Sequence, residues 1–469
     1  MLSFTKYKDV FLILISTLLY VTFAYYLERT EFYKLLFLWF SLFTCFFFLI
    51  KSKSINTSTL IGLVILFRLI FLFAIPNLSQ DFYRFIWDGR MILEGLNPYL
   101  SLPETYIKQG IHPIAETSNL YAGMGEMNGS HYTNYPPINQ LCFIIAALFA
   151  SKSIFGSIVV LRLIIILADI GILYFGKKLL ERLNLPIKNI FWYALNPFII
   201  IEMTGNLHFE PVMLFFLIWS LYKLHQQKWV WAAILLACSV SVKLIPLLFL
   251  SLFFQWFVDY KRILDNLKNS TVQRKLGWIA AFAGIKKIIG FYTITLATII
   301  ILFLPFYSSE FVNNYANSVG LWFRNFEFNA SFYYIFREIG YQFRGYNEIA
   351  IIGKITPILT ILFLIVITFF RQNKSMIQLI TALLFGLCFY YFTATTVHPW
   401  YLATPLVLSV FTKYRFPVIW TIVIIFSYQA YANTPWKENL WFVGIEYVIL
   451  YGFLIFELLK NRQYYKIVK

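Results

Sequence analysis

Long runs of apolar residues, interrupted by short polar stretches, make up most of this chain. The first three runs, at residues 10–27, 33–50 and 59–76, each approach the roughly 20 residues that a helix needs to cross a bilayer. Similar runs continue to the carboxyl end. The pattern predicts an all-α polytopic membrane protein, a single domain over residues 1–469 with about 12 to 14 transmembrane helices.

Composition supports this prediction and excludes an ordinary soluble protein. Hydrophobic residues form 60% of the chain and charged residues only 13%, whereas roughly a quarter of a soluble protein is charged. The net charge of +17 would suggest a nucleic-acid ligand in a soluble chain, but here the Lys and Arg residues fall mostly in short loops. Such placement reflects topology, so we expect membrane lipids as surroundings and no nucleic-acid partner.

The charges also predict which loops lie outside the cytoplasm. If the Lys51–Lys53 loop is cytoplasmic, residues 77–137 form the first extracytoplasmic loop, which carries six acidic and three basic residues. The later basic clusters then reach the cytoplasm only if the short run at 138–150 is partial, re-entrant or interfacial. On this topology residues 308–348 form the second extracytoplasmic loop of a multi-pass protein in the cell (inner) membrane.

The stretch Ser79–Tyr99 concentrates charge and aromatic rings in an otherwise apolar sequence. As a helix it separates charged from apolar side chains, with Asp81, Arg84 and Asp88 on one face and Phe82, Ile86 and Leu93 on another. Gly95 and Pro98 are expected to end this helix. The pattern is typical of an interfacial helix that presents a carboxylate at the membrane surface.

Three short islands of sequence carry a family resemblance. The first island is DFYRFIWDGR with GLNPY and then YPPINQ at Tyr135–Gln140, the second is VKLIP at Val242–Pro246, and the third is HPWY at His398–Tyr401. These islands resemble GT-C superfamily glycosyltransferases, in particular their bacterial polyprenyl-phosphate-mannose-dependent mannosyltransferase branch. The resemblance implies a GT-C-like bundle with interfacial helices in its first outer loop. It also implies inverting transfer of a hexose, expected to be mannose, from a polyprenyl-phosphate donor to an acceptor hydroxyl on a lipid or glycan at the extracytoplasmic face.

This transfer needs a base for the acceptor proton and cations for the phosphate leaving group. The resemblance implies that Asp81 is the base; the alternative is that its carboxylate only favours the start of a helix. Asp88 could position the acceptor, or hold Arg84 or Arg90 in a structural ion pair.

Further candidates lie at junctions that the predicted topology places outside. Lys243 opposes the orientation trend and is expected to bind the donor phosphate, unless it is a lysine that only extends to the membrane surface. His208 with Glu210, and His398 with Tyr401 from the HPWY island, are expected to bind donor phosphate or sugar hydroxyls. In the second loop, Arg324 and the neighbouring rings either line a cleft for the sugar phosphate or belong to an interfacial helix.

The sequence lacks the motifs that would indicate a metal cluster, a nucleotide-sugar donor or an internal repeat. The four cysteines, at 45, 142, 238 and 388, have no CxxC spacing and suggest no metal cluster, and the absence of a phosphate-cradling glycine motif favours a lipid-carried donor. The family resemblance implies a reaction without a metal, and we expect no cofactor. Arg162 and Asp169 share a face of one apolar run and are expected to pair within the bundle. A transporter or flippase of lipid-linked sugars is the alternative function; it predicts two similar halves, and no convincing repeat is found.

Overall fold

Helices form nearly all the regular structure of residues 2–150, 152–259, 271–324 and 326–467, which are the residues that the computed structural model describes. The α-helices in this part are numbered in chain order: α1 Leu2–Tyr26, α2 Phe32–Lys51, α3 Thr57–Ile70, α4 Asp81–Leu93, α5 Pro103–Lys108, α6 Thr117–Gly129, α7 Pro137–Ala150, α8 Ile154–Arg182, α9 Phe191–Ala194, α10 Glu210–His225, α11 Trp229–Val240, α12 Phe254–Phe257, α13 Thr271–Phe303, α14 Ser309–Arg324, α15 Phe332–Arg344, α16 Ile349–Phe369, α17 Met376–Thr393, α18 Ala403–Ser409, α19 Phe416–Val423 and α20 Leu440–Ile467. A π-helix covers Ile199–Gly205, and 3₁₀ helices cover Ile187–Ile190, Ile245–Phe253, Leu304–Phe306, Pro399–Leu402 and Ile424–Ala432.

Seven helices within these residues are long and apolar enough to cross a membrane: Tyr7–Tyr26, Phe32–Lys51, Ile154–Arg182, Phe282–Phe306, Ile349–Phe369, Met376–Thr393 and Leu440–Asn461. The π-helix and α10 are bent by 112° at a short break and together form a possible eighth, broken span. Shorter apolar helices lie between them. The all-α polytopic membrane fold is thereby confirmed, whereas the figure of 12 to 14 crossings depends on the shorter helices and stays a prediction.

Helix α7 is one of these shorter apolar helices. Its 14 residues rise about 21 Å, which is less than the ~30 Å hydrocarbon core of a bilayer. This length agrees with the partial segment expected at 138–150. Helix α7 packs closely on α4 at Gly89, which has no side chain. A β-carbon added there would lie only 2.3 Å from the carbonyl oxygen of Phe143. The ring of Phe85 stacks on that of Phe143 beside this contact.

Helix α4 ends where the sequence predicts. Gly95 has a left-handed φ of 76°, and its N–H donates to the carbonyl of Ile92 while the N–H of Leu96 donates to Met91. These two bonds form the Schellman termination that glycine favours. The helix differs from the prediction in its faces: Arg84 and Asp88 of the charged face are buried under the rest of the first loop, only Asp81 of that face is partly exposed, and Leu93 is 45% exposed.

The charged residues inside the bundle pair as expected. Asp169 on α8 accepts from Nε of Arg68 on α3 at 2.8 Å. Arg162, two turns earlier, donates to the carbonyls of Leu72, Thr204 and Gly205 at 2.9–3.0 Å. These carbonyls include the last residues of the π-helix, so Arg162 stabilises the broken segment that leads into α10.

Candidate active site

Asp81 is held at the start of α4 by a fixed approach segment. The side-chain amide of Asn77 donates to the carbonyls of Phe23 and Leu27 at the end of α1, at 2.8 and 3.0 Å. The Leu78 N–H donates to Oδ1 of Asn206 at 2.9 Å. These contacts attach the segment before Asp81 to two other parts of the bundle and so fix the position of its carboxyl.

The Asp81 carboxyl is partly exposed and lies 3.5 Å from the amide nitrogen of Asn128, measured at Oδ1. Burial raises the pKa of this carboxyl; the charge of Lys243 acts against that rise, and the carboxylate of Glu210 adds to it. A partly desolvated carboxylate with a raised pKa suits a general base. Asp81 follows the N-cap residue Gln80, whose side chain makes no capping bond, and its place in the first turn also fits the helix-start alternative.

Arg84 and Asp88 lie deeper and fasten the first loop. Nε of Arg84 is 2.9 Å from Oδ1 of Asp88, and its Nη1 donates to the carbonyls of Asn128 and His131 at 2.7 and 2.8 Å. The amide of Gln140 donates to the other oxygen of Asp88 at 3.1 Å. This geometry favours the structural ion pair for Asp88 over contact with an acceptor.

Lys243 and Glu210 form an ion pair beside Asp81. Glu210 begins α10 and is buried, while the side chain of Lys243, just after α11, keeps 20% exposure. Oε2 of Glu210 has no hydrogen-bond partner among the described residues. The fold thus joins two of the sequence-predicted candidates in one ion pair, and the lysine already has an anionic partner.

Both histidine candidates belong to one aromatic column. The ring of His208 stacks on Trp400 at 4.0 Å between centroids, and His398 stacks on Trp400 at 4.4 Å. Phe328 continues the column at 5.4 Å from His398, and Tyr401 meets His398 edge-on. Burial, with a smaller effect of the nearby Lys243, lowers the pKa of His398 to about 3, so this ring is neutral at physiological pH and carries no charge for a phosphate.

Different parts of the second loop fit the two predictions, a cleft lined by rings and an interfacial helix. Its segment Phe326–Phe328 pairs with residues 395–397, where the Val397 N–H donates to the Phe328 carbonyl at 2.8 Å. This pairing directs both rings of the segment onto the aromatic column. Helix α15 instead exposes rings such as Phe343, which is 84% exposed and suits a membrane interface. Arg324 ends α14, and its side chain lies outside the described residues.

The sequence interpretation missed three side chains that the fold brings to this region. Glu202 of the π-helix accepts from the hydroxyl of Tyr428 at 2.5 Å, and its other oxygen lies 3.8 Å from Nε2 of His208. Trp400, inside the HPWY island, separates the two histidines. An acid within the apolar run IIIEMTG was the available signal for Glu202, because buried charge in such a run marks a special site.

The fold and this polar cluster define a multi-pass membrane protein with an acid, a cation and aromatic rings gathered at the ends of several helices. The chain belongs to the alpha-(1->6)-mannopyranosyltransferase family, because the model of that family's N-terminal domain matches residues 8–258, more than half of the chain. No curated protein gives a significant match. The protein is therefore a membrane mannosyltransferase with a sugar donor and a glycan or lipid acceptor, and this replaces the transporter alternative.

The matched region contains Asp81, His208, Glu210 and Lys243, whereas His398 and Tyr401 lie beyond it. No group of three or more His, Cys, Asp and Glu side chains is placed to hold a metal ion in the part of the chain that is described. The expectation of a metal-free reaction stays a prediction.

Proposed function

We propose that this mannosyltransferase takes mannose from a polyprenyl-phosphate donor and transfers it with inversion to an acceptor hydroxyl, with Asp81 as the base. The observation that supports the proposal is the partly exposed Asp81 carboxyl beside the Lys243–Glu210 pair. A base and a cation in one cluster are the two kinds of group that the reaction needs.

The proposed step is a single displacement. The acceptor oxygen forms a bond to the anomeric carbon as the bond from that carbon to the phosphate oxygen breaks. Asp81 takes the acceptor proton, and the polyprenyl phosphate leaves with the electron pair of the broken bond. Lys243 stabilises the charge that develops on the phosphate, and attack opposite to the leaving group inverts the anomeric centre.

We also propose sugar-hydroxyl contacts for the neutral candidates. His208 and His398 stack on Trp400, which is itself partly exposed, and Tyr401 meets His398 edge-on. Neutral rings and a phenol suit hydroxyl recognition better than phosphate binding.

The arrangement of helix ends supports an extracytoplasmic site. The loops that carry basic residues meet at the helix ends away from Asp81. There the Lys188 ammonium is 3.4 Å from the Ile55 carbonyl oxygen, and the Asn189 side-chain amide is 3.5 Å from the Val410 carbonyl oxygen. Basic loops favour the cytoplasm, so the cluster at the other ends of these helices faces outside the cell membrane.

The function is tested by transfer from radiolabelled polyprenyl-phosphate-mannose in membranes that carry wild type, Asp81→Asn or Glu94→Gln. Glu94 is an exposed acid at the far end of α4, about 20 Å along the helix, and serves as the matched control. We expect Asp81→Asn to lose a factor of about 10²–10⁴ in rate while Glu94→Gln stays active. Full turnover by Asp81→Asn would remove Asp81 from the mechanism, and an inactive wild type would reject the donor.

The orientation is tested by cysteine labelling in intact cells. Ser118→Cys in the first loop should react with an impermeant maleimide, and Glu181→Cys at the end of α8 should be protected; both positions are exposed in the fold. The four native cysteines are buried or half-buried, which keeps the background low. The opposite labelling pattern would place the site in the cytoplasm.

A further inference from the structure

We infer that Arg29, in the turn between α1 and α2, binds the phosphate of the lipid-linked donor opposite Lys243. This inference rests on the proposed function and adds a substrate-binding residue that lies outside every sequence island considered above. Its basis is the position of the guanidinium, the surface on which it rests and its lack of an anionic partner.

The turn that carries Arg29 is fixed next to the start of α4. Nη1 of Arg29 lies 3.4 Å from the carbonyl oxygen of Leu78, three residues before Asp81. The Asn77 amide binds the carbonyl of Leu27, two residues before Arg29, at 3.0 Å. Arg29 is close enough for its charge to lower the pKa of the Asp81 carboxyl, in the same sense as Lys243. Two cations, Lys243 and Arg29, therefore act on the Asp81 carboxyl.

The guanidinium is held flat on an aromatic face. Its central carbon lies 4.4 Å from the ring centroid of Tyr431. Tyr431 packs on Phe328 at 6.1 Å, and Phe328 leads to the aromatic column through His398. A guanidinium that is stacked in this way keeps its N–H donors in a fixed fork, which matches the oxygens of a phosphate.

The two cations differ in their partners. Lys243 is paired with Glu210, so that pair carries no net charge towards a ligand. Arg29 forms no salt bridge in the described part of the chain, although two glutamates are close in sequence; one of them, Glu31, pairs with Lys34 at 2.8 Å. Arg29 is also partly exposed. It therefore offers a positive charge that no salt bridge in the described part of the chain neutralises.

The chemistry of the donor calls for such a group. A sugar phosphodiester carries one negative charge, and a second develops on the phosphate as the sugar leaves. A cation already neutralised by a glutamate stabilises that second charge less than an unpaired one. A guanidinium at the end of two membrane spans also lies where the headgroup of a lipid-linked donor is expected.

The experiment compares Arg29→Gln, Arg29→Lys and the control Arg344→Gln in nanodiscs of neutral phosphatidylcholine. Gln keeps a donor for the Leu78 carbonyl and removes the charge, and Arg344 is an exposed arginine of the second loop. The measured quantities are the apparent donor KM, the acceptor KM, and inhibition by polyprenyl phosphate and by the uncharged polyprenol. Thermal stability is recorded for each variant.

We expect Arg29→Gln to raise the donor KM and the inhibition constant of polyprenyl phosphate by roughly tenfold to a hundredfold, as for a lost charged hydrogen bond. Inhibition by polyprenol and the acceptor KM should not change. Arg29→Lys should recover part of the loss, because lysine keeps the positive charge but lacks the planar pair of N–H donors of the guanidinium. Arg344→Gln should behave as wild type.

Three outcomes would overturn the inference. Unchanged phosphate inhibition with lowered thermal stability would make Arg29 an anchor of the turn. Equal losses for polyprenyl phosphate and polyprenol would mean that the phosphate is not recognised there. A defect seen only when anionic phosphatidylglycerol is added would assign Arg29 to membrane lipid. Each of these requires an active wild type, whereas failure of the proposed function would appear as an inactive wild type.

Discussion

Two acid–base pairs inside the bundle have the same chemistry and opposite surroundings. In the first, Asp169 accepts from Arg68 at 2.8 Å and from the Tyr193 hydroxyl at 2.9 Å, so both of its oxygens are bonded and all three side chains are buried. In the second, Glu210 binds Lys243 through one oxygen, and its other oxygen has no partner among the described residues. The lysine is also partly exposed.

The difference separates a structural pair from a functional one. A buried pair is stable only when hydrogen bonds satisfy its carboxylate, as they do for both oxygens of Asp169, although Nη2 of Arg68 has no partner among the described residues. A pair with a spare oxygen and an exposed cation retains capacity for a ligand, and such incomplete groups are characteristic of functional sites. The comparison therefore supports a structural role for Arg68–Asp169 and the proposed substrate role for Lys243–Glu210, and each can be tested.

The largest effect is expected from Asp169→Asn. The change leaves the Arg68 guanidinium buried without a carboxylate, which costs about 3–5 kcal/mol of unfolding free energy. Heating the detergent-solubilised protein and measuring the folded fraction by size exclusion should show a strongly lowered midpoint. The exposed pair of Glu104 with Lys108 gives the control, because Glu104→Gln should cost under about 1 kcal/mol. Equal midpoints for the two variants would contradict the structural assignment.

Lys243→Ala should have the next largest effect, on donor affinity more than on folding. Removing the ammonium takes a cation from the proposed phosphate site and should raise the donor KM about tenfold or more. Lys243→Arg should recover part of this loss because the charge remains. The measurement is the apparent donor KM in the transfer assay, with thermal stability recorded in parallel.

The control for this prediction is the double variant Lys243→Ala with Glu210→Gln. If the defect of Lys243→Ala comes only from leaving Glu210 as an unpaired buried charge, the double variant should recover. If the lysine binds phosphate, the double variant should stay defective. Recovery would make Lys243 structural and move the leaving-group site to another cation.

The sequence predicted the parts of this molecule that depend on local pattern. Apolar length located the membrane helices, and Gly95 located the end of α4, because a left-handed residue is needed there. Even the pairing of Asp169 followed from its position in an apolar run. Charge pattern alone, however, placed Arg84 and Asp88 on a surface, whereas the fold covers them with residues 128–140 of the same loop.

The rest of the site depends on contacts between distant parts of the chain. Tyr428 reaches Glu202, and Tyr431 supports Arg29, across more than two hundred residues. No local periodicity encodes such a meeting. The column through Trp400 could likewise not be inferred from HPWY, because a short island does not show which rings will stack on it.

Two tyrosines extend the comparison at smaller scale. Tyr193→Phe removes the hydroxyl that completes Asp169 and should cost about 1 kcal/mol of stability, with little change in donor or acceptor KM. Tyr401→Phe should show the reverse, a raised KM for a sugar substrate with nearly unchanged stability. Thermal midpoints and transfer kinetics of both variants provide the measurement. A stability loss confined to Tyr401→Phe would exchange the two roles.

The smallest effect, and the most specific, concerns pH. If Asp81 must be ionised to accept the acceptor proton, kcat/KM falls as pH drops through the pKa of that carboxyl. Burial raises this pKa, Lys243 lowers it and Glu210 raises it. Glu210→Gln should therefore move the acidic limb of the profile to lower pH, and Lys243→Ala should move it to higher pH. Tyr193→Phe changes the separate Asp169 pair and should leave the acidic limb at the pH of wild type.

These opposite shifts distinguish a base from a residue that only starts a helix. A carboxylate that merely interacts with the helix dipole would titrate without changing the rate, so both variants would keep the acidic limb of wild type. Shifts in the same direction would show that the two variants act through general loss of structure. Opposite shifts, in contrast, require that the rate depends on one carboxyl that is influenced by both members of the Lys243–Glu210 pair, and the cluster identifies that carboxyl as Asp81.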